Sequence, residues 1–296
     1  MGINHQDTLN EEEIKSLLAS VHGKSVKELE RLYSEDHQVY KYNIEGHQPL
    51  VIKIAGKGKY RDGKIRLEIR TIRMLQGRVR VPDIIMSDIG EKPFFIMPYY
   101  FPEKITSDEI LISAFVDYLT SLAFFKNPSA LIKFVSKVRI LSIYSSLINK
   151  IESNSFLADN FPGIEKVKTN LKNLIWSDRM ITGQSQPGNL ILTENSYIVV
   201  DWAEGIEPCP LNKQVGFATF LYAVNDIDRA FNRLQILSSH LLSHGFPVSI
   251  PAIKEWWLLN AIYNGHFYLC MNKSLELFRK YSTFYKELKE SESYLK

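Results

Sequence analysis

The apolar positions along the chain change period part of the way through. Over residues 26–100 short runs dominate: Val26–Tyr33, Gln38–Ile44 and Leu50–Ala55 read as strands. The connectors Ser34-Glu35-Asp36-His37 and Glu45-Gly46-His47-Gln48 carry turn residues, so these strands are expected to form an antiparallel meander. Two further strands are predicted over Val81–Met86 and Phe94–Tyr100, separated by the turn Gly90-Glu91-Lys92-Pro93. One helical pattern precedes this region and another interrupts it. Residues 10–22 read as a helix with Asn10 as N-cap and three glutamates at its positive end. Lys64–Gln76 places Ile65, Ile69, Ile72 and Leu75 on one stripe, with Glu68 at its margin and Arg66, Arg70 and Arg73 on another face.

From Ser107 onward the spacing turns helical. Helices are predicted over Ser107–Phe125, Ala130–Glu152, Gly163–Trp176, Asn212–Val224, Asp226–His244, Pro251–Cys270 and Ser274–Ser291. The strand signals within this half are Leu190–Leu192 and Tyr197–Val200, a hairpin around Thr193-Glu194-Asn195-Ser196. Pro98 and Pro102 bracket an aromatic link that divides the two halves. The expected architecture is therefore α+β. A strand-rich N-terminal lobe (1–98) with one main helix precedes a larger, mostly helical C-terminal lobe (99–296) that carries the hairpin.

Composition adds bounds. At 296 residues with 45% apolar content the chain can bury two cores. A net charge of +3 is too small to argue for nucleic acid as a partner. No apolar run reaches the length of a membrane span, and Met1–Gln6 has no secretory core, so a cytoplasmic protein without a membrane partner is expected. Gln6 stands where a myristoylation signal needs Ser or Thr. Cys209 and Cys270 make neither a disulfide framework nor a zinc signature. Lys57–Arg80 holds nine Lys and Arg against Asp62 and Glu68; it reads as a solvated face, with an anionic partner site as the alternative.

Candidate chemistry lies at a few positions. Lys53, between Ile52 and Ile54, points away from their face; it reads either as a solvent-facing lysine on an edge strand or as a cation held to meet phosphate oxygens. Glu68 is able to reach such a lysine, or an arginine on its own helix. Asn189 and Asp201, twelve residues apart, sit at the two ends of the hairpin, where hard oxygen donors suit Mg²⁺. Trp256, Trp257, Tyr263 and His266 recur at helical spacing and read as packing residues before a ligand surface.

The order strand lysine, helix glutamate, aromatic-proline link, then Asn189 and Asp201 on a hairpin resembles the aminoglycoside phosphotransferase / choline kinase family, relatives of the protein kinases. Gln186-Pro187-Gly188-Asn189-Leu190-Ile191-Leu192 and Ile198-Val199-Val200-Asp201-Trp202 carry the resemblance most specifically, with Val51-Ile52-Lys53, Glu68 and Val81-Pro82 in register. The resemblance implies a bilobal protein-kinase-like fold with a five-stranded antiparallel sheet. It also implies ATP or another nucleoside triphosphate with Mg²⁺. Lys53 would contact the phosphates, Glu68 would orient it, Asn189 and Asp201 would hold the metal, and the backbone near Met97 and Tyr99 would meet the adenine.

The departures fall on the other side of the reaction. The family's loop begins His-Gly-Asp; here Thr182, Gly183 and Gln184 align with it, and glutamine cannot take a proton at neutral pH. A bracing aspartate further on aligns best with Gln214. Asp178 precedes the strand leading into the loop, which argues against it as a substitute base. Three functions are expected in turn. The first is an ATP-Mg-binding pseudokinase acting through a partner. The second is an atypical phosphotransferase or nucleotidyltransferase for a hydroxylated small molecule. The third is a binding protein on a kinase-like scaffold that has lost nucleotide use.

Overall fold

The computed structural model describes residues 8–32, 34, 36–103, 108–125, 128–183, 189–194, 196–270 and 274–291. In chain order its elements are α1 (Glu11–His22), β1 (Leu29–Leu32), β2 (His37–Tyr42), β3 (Leu50–Ala55), α2 (Lys59–Leu75), β4 (Met86–Asp88) and β5 (Phe94–Pro98). There follow α3 (Asp108–Phe125), α4 (Ala130–Glu152), α5 (Ser155–Asn160), α6 (Ile164–Ser177), β6 (Met180–Gly183), β7 (Leu190–Thr193), β8 (Ser196–Val199) and β9 (Glu207–Pro210). The chain closes with α7 (Leu211–Asn225), α8 (Ile227–Ser243), α9 (Ile250–Cys270) and α10 (Leu275–Glu290). It divides into two compact units, residues 1–105 with 189–206, and 106–188 with 207–296.

In the first unit five antiparallel strands lie in the order β1-β2-β3-β5-β4. Period-2 alternation sorts their side chains. Tyr40, Ile52 and Ile96 stand in line across three strands, as do Tyr42, Leu50 and Pro98. With Ile54 and Phe94 this face closes on Ile14 and Leu18 of α1. The α1 N-terminus forms where expected: Asn10 Oδ1 accepts the Glu13 N–H at 2.9 Å, and Glu13 accepts the Asn10 N–H at 2.7 Å, satisfying two otherwise orphaned donors. On α2 the predicted stripe is buried, with Ile65, Ile69, Ile72 and Leu75 all inaccessible to solvent. Burial of each such side chain contributes about 1.5–3 kcal/mol.

The predicted fourth strand is displaced. Val81–Met86 is apolar, yet the ladder starts only near its end: Ile85 N–H reaches Ile96 O, and the paired residues are Met86, Ser87 and Asp88. Pro82 has no N–H to give a ladder, and Val81 is apolar because it is packed rather than paired.

The hairpin β7–β8 was expected in the helical half, but its hydrogen bonds run to the first unit. Val199 N–H donates to Arg80 O, Glu103 N–H donates to Leu192 O, and Trp202 N–H donates to Glu68. The second unit holds an unpredicted strand pair, β6 with β9. Glu207-Pro208-Cys209-Pro210 carries two prolines, which masks a short strand in the sequence. Around it the helices pack on α9, which is apolar on nearly all sides and correspondingly buried. Trp256 and Trp257 are core residues there, whereas Tyr263 is exposed. No helix among the described residues is long and apolar enough to cross a membrane.

Candidate nucleotide-phosphate site

β3 is a central strand, so Lys53 is not on an edge. Its side chain leaves the sheet on the face opposite Ile52 and Ile54 and is 7% exposed. Such burial of a cation requires paired anions. Two are present: Glu68 Oε2 lies 2.8 Å and Asp201 Oδ1 2.9 Å from Lys53 Nζ. Burial works against the lysine charge, but the facing carboxylates outweigh it and hold its pKa above the ordinary lysine value. The Glu68 pKa is driven upward as well, by its own complete burial and by the charge of Asp201, with Lys53 and the Trp202 N–H opposing. The helix glutamate thus lies inside the core-facing stripe rather than at its margin, and it faces the strand lysine rather than an arginine of α2.

The hairpin brings the candidate metal ligands together. Asn189 O accepts the Val200 N–H at 2.9 Å, which closes the open end of β7–β8. Asn189 Nδ2 then lies 3.4 Å from Asp201 Oδ2. Asp201 has φ 60°, a left-handed conformation that no other non-glycine among the described residues adopts. Aspartate tolerates it better than most residues, but strained backbone of this kind is concentrated at functional sites. Trp202 locks the turn behind it: the indole is buried, Nε1–H donates to Val199 O at 2.7 Å, and the backbone N–H donates to Glu68 Oε1 at 3.2 Å. β3, α2 and the hairpin therefore share one polar network. Among the described residues no group of three or more His, Cys, Asp and Glu is arranged to hold a metal. The Asn189–Asp201 pair offers side-chain oxygens of the kind Mg²⁺ takes.

Met97 stands opposite Val51, in line with Lys41, on the same face as Lys53. The Tyr99 N–H is engaged by Pro49 O at 2.8 Å, and the Lys41 ammonium lies 4.5 Å from the Tyr99 ring centre. Gln184 lies outside the described residues. Its neighbours Thr182 and Gly183 end β6, with Gly183 opposite Glu207. Gln214 of α7, the aligned brace, is buried beside Gly183: a Cβ added at Gly183 would come within 2.8 Å of Gln214 Oε1 and 2.9 Å of Cys209 Cβ. Gly183→Ala is expected to destabilise the protein by about 1–3 kcal/mol through overpacking. An unchanged thermal midpoint would show that this approach is not tight.

Several participants were not legible in the sequence. Asp36, an anion near Lys53, is paired with Arg61 and with Lys64 at 3.1 Å, and Lys64 also holds Glu204 at 2.7 Å. These pairs absorb part of the basic run; Arg66 caps Ile89 O and Arg73 bonds Ser87. His37 joins the Lys53 face through the β2–β3 register. The alternation that placed Lys53 was available to find it.

The five-stranded antiparallel sheet of the first unit and the helical second unit are those of a protein-kinase-like α+β fold. Solved structures of similar fold include aminoglycoside phosphotransferase APH(4)-Ia as a ternary complex with AMP-PNP and hygromycin B (TM-score 0.65, 10% identity, 95% of this chain and 98% of that one). Choline kinase LicA from Streptococcus pneumoniae is similar at TM-score 0.63 and 16% identity, over 95% of this chain and 97% of the other. Macrolide 2'-phosphotransferase type I is similar at TM-score 0.62 and 14% identity, over 94% and 98%. No family model matches the sequence, and no curated protein is similar to it.

Proposed function

We propose that this protein binds a nucleoside triphosphate with Mg²⁺ through Lys53, Glu68, Asn189 and Asp201, and that it acts as a pseudokinase-type binding protein. The observation that carries this reading is the single network joining Lys53 to Glu68 and Asp201. A buried ammonium held charged and oriented by two carboxylates is suited to phosphate oxygens, and an isolated buried lysine would be too costly to keep charged. In this reading Asp201 turns from Lys53 toward the metal, and Asn189 supplies its amide oxygen. Lys53 then meets the phosphates while Glu68 keeps its ammonium in place. Met97 and the backbone near Tyr99 lie at the adenine end of the face. Bound Mg²⁺ would neutralise phosphate charge.

Three of the similar structures contain AMP-PNP or ADP with hygromycin B, which supports nucleotide as the ligand class. Gln184, where the resembled family carries its base, supports binding without efficient transfer, because glutamine does not accept a proton from a substrate hydroxyl.

Titration of Mg·ATP by calorimetry is expected to show binding that Asp201→Ala weakens about tenfold or more. Incubation with labelled ATP and hydroxylated acceptors is expected to leave the acceptors unlabelled. Absence of binding sinks the nucleotide reading. Label transfer that disappears in Lys53→Ala replaces the pseudokinase with an atypical transferase.

A further inference from the structure

We propose that His37 sets the preference of this site for a nucleoside triphosphate over a diphosphate, its imidazole N–H donating to an oxygen of the terminal phosphate. The inference rests on the nucleotide reading above and assigns a role to a residue outside that set. Antiparallel partners share a face, so three successive rows can be read along it: Lys41, Val51 and Met97; then Val39, Lys53 and Phe95; then His37 and Ala55. With the adenine end at Met97 and the phosphates at Lys53, the His37 row lies about 7 Å further on in the same direction. That is where the end of a triphosphate chain falls.

The ring is 6% exposed, and neither Nδ1 nor Nε2 has a hydrogen-bond partner among the described residues. Two unpartnered nitrogens in a buried imidazole destabilise a fold, and a site that keeps them is fitted to a ligand that satisfies them. Burial, then the Lys53 charge, hold the ring neutral with a pKa of about 4. A neutral ring brings one N–H donor and adds no charge beside the lysine.

Asp36 is paired to Arg61 and Lys64. Its carbonyl oxygen would lie 2.1 Å from a Cβ at Gly56, so the Asp36 backbone lies directly against the β3–α2 connector.

The test compares calorimetric affinities for Mg·ATP and Mg·ADP in the wild type, His37→Phe and His37→Gln. His37→Phe is expected to weaken Mg·ATP about tenfold and to leave Mg·ADP within about twofold. His37→Gln, which keeps an N–H, is expected to recover part of the ATP preference. His37→Phe is also expected to unfold at an equal or higher temperature, since it removes buried polar atoms that have no partner. If it fails to fold, His37→Ala carries the same comparison. An ATP-to-ADP affinity ratio equal to that of the wild type overturns the assignment, whether both ligands weaken or neither does. A wild type that binds neither nucleotide overturns this inference together with the nucleotide reading, whereas an unchanged ratio in a protein that binds both overturns this inference alone.

Discussion

Lys53→Met is expected to cost about 3–5 kcal/mol of stability and to abolish Mg·ATP binding at once. Both losses come from one geometry. Glu68 is 1% exposed and relies on Lys53 for the compensation of its charge. Without the ammonium it must stay charged in a dry site or take up a proton, and either outcome costs stability. Asp201 is partly exposed, so water screens its share of the interaction and the loss falls mainly on Glu68. The double substitution Lys53→Met with Glu68→Gln is expected to recover most of the stability. Glutamine carries no charge, and its Oε1 still accepts the Trp202 N–H that Glu68 accepts now. Mg·ATP binding should stay lost in the double variant, because no cation remains for the phosphates. Urea denaturation and calorimetry on the three proteins separate the two roles. If Lys53→Met alone behaves as a surface substitution, the buried network is not the core of the site.

The second large effect concerns Asp178, buried at the end of α6. It accepts the Asn212 backbone N–H and, at 2.9 Å, Asn212 Nδ2, which places it at the N-terminus of α7. Burial nevertheless dominates and pushes its pKa up from 3.8 to about 6, with the Asn212 donors opposing. The folded state therefore binds this proton more tightly than the unfolded chain does. The stability contributed by the group is fully present below the unfolded pKa and is lost as pH rises from about 4 through about 6. Two pKa units correspond to about 3 kcal/mol. Asp178→Asn removes the titration while keeping an acceptor for the Asn212 N–H. The stability difference, wild type minus variant, is thus expected to fall by about 3 kcal/mol between pH 4 and pH 7. His37 titrates in the opposite sense over the same range: its depressed pKa makes stability fall as pH drops from 6.5 through about 4. Because both proteins contain His37, that slope cancels in the difference. Urea midpoints at several pH values check this, and a flat or rising difference would refute it. The same burial supports the reading that Asp178 is a structural anchor at the start of α7 and no substitute for a base at position 184.

Much of this was readable from local pattern. The stripe of α2, the capping box of α1 and the outward face of Lys53 each follow from residues within four positions of one another. Periodicity of 3.6 or 2 encodes them directly. Short elements such as α5, β6 and β9 were not readable on the same basis. β6 and β9 have four residues each and find each other across the whole loop-and-hairpin segment, with prolines obscuring β9. Val81–Met86 had the composition of a strand but meets β5 only at its end, because pairing depends on a partner that composition does not reveal.

By itself the sequence determined the longer helices and most strands of the first unit, and which side chains were candidates for a site. Only the tertiary structure decided what those side chains meet. Glu68 read equally as a partner for a helix arginine or for Lys53, and the buried position of both settled it, since a dry cation needs a dry anion. Asn189 and Asp201 gained their proximity from the Val200–Asn189 backbone bond, and the attachment of their hairpin to the first unit came from donors on Val199, Glu103 and Trp202. Asp36 found its ion pairs, and His37 its place on the Lys53 face, through register and packing across the chain. Such long-range relations are fixed by the free energy of the whole fold, and no local window of sequence contains them.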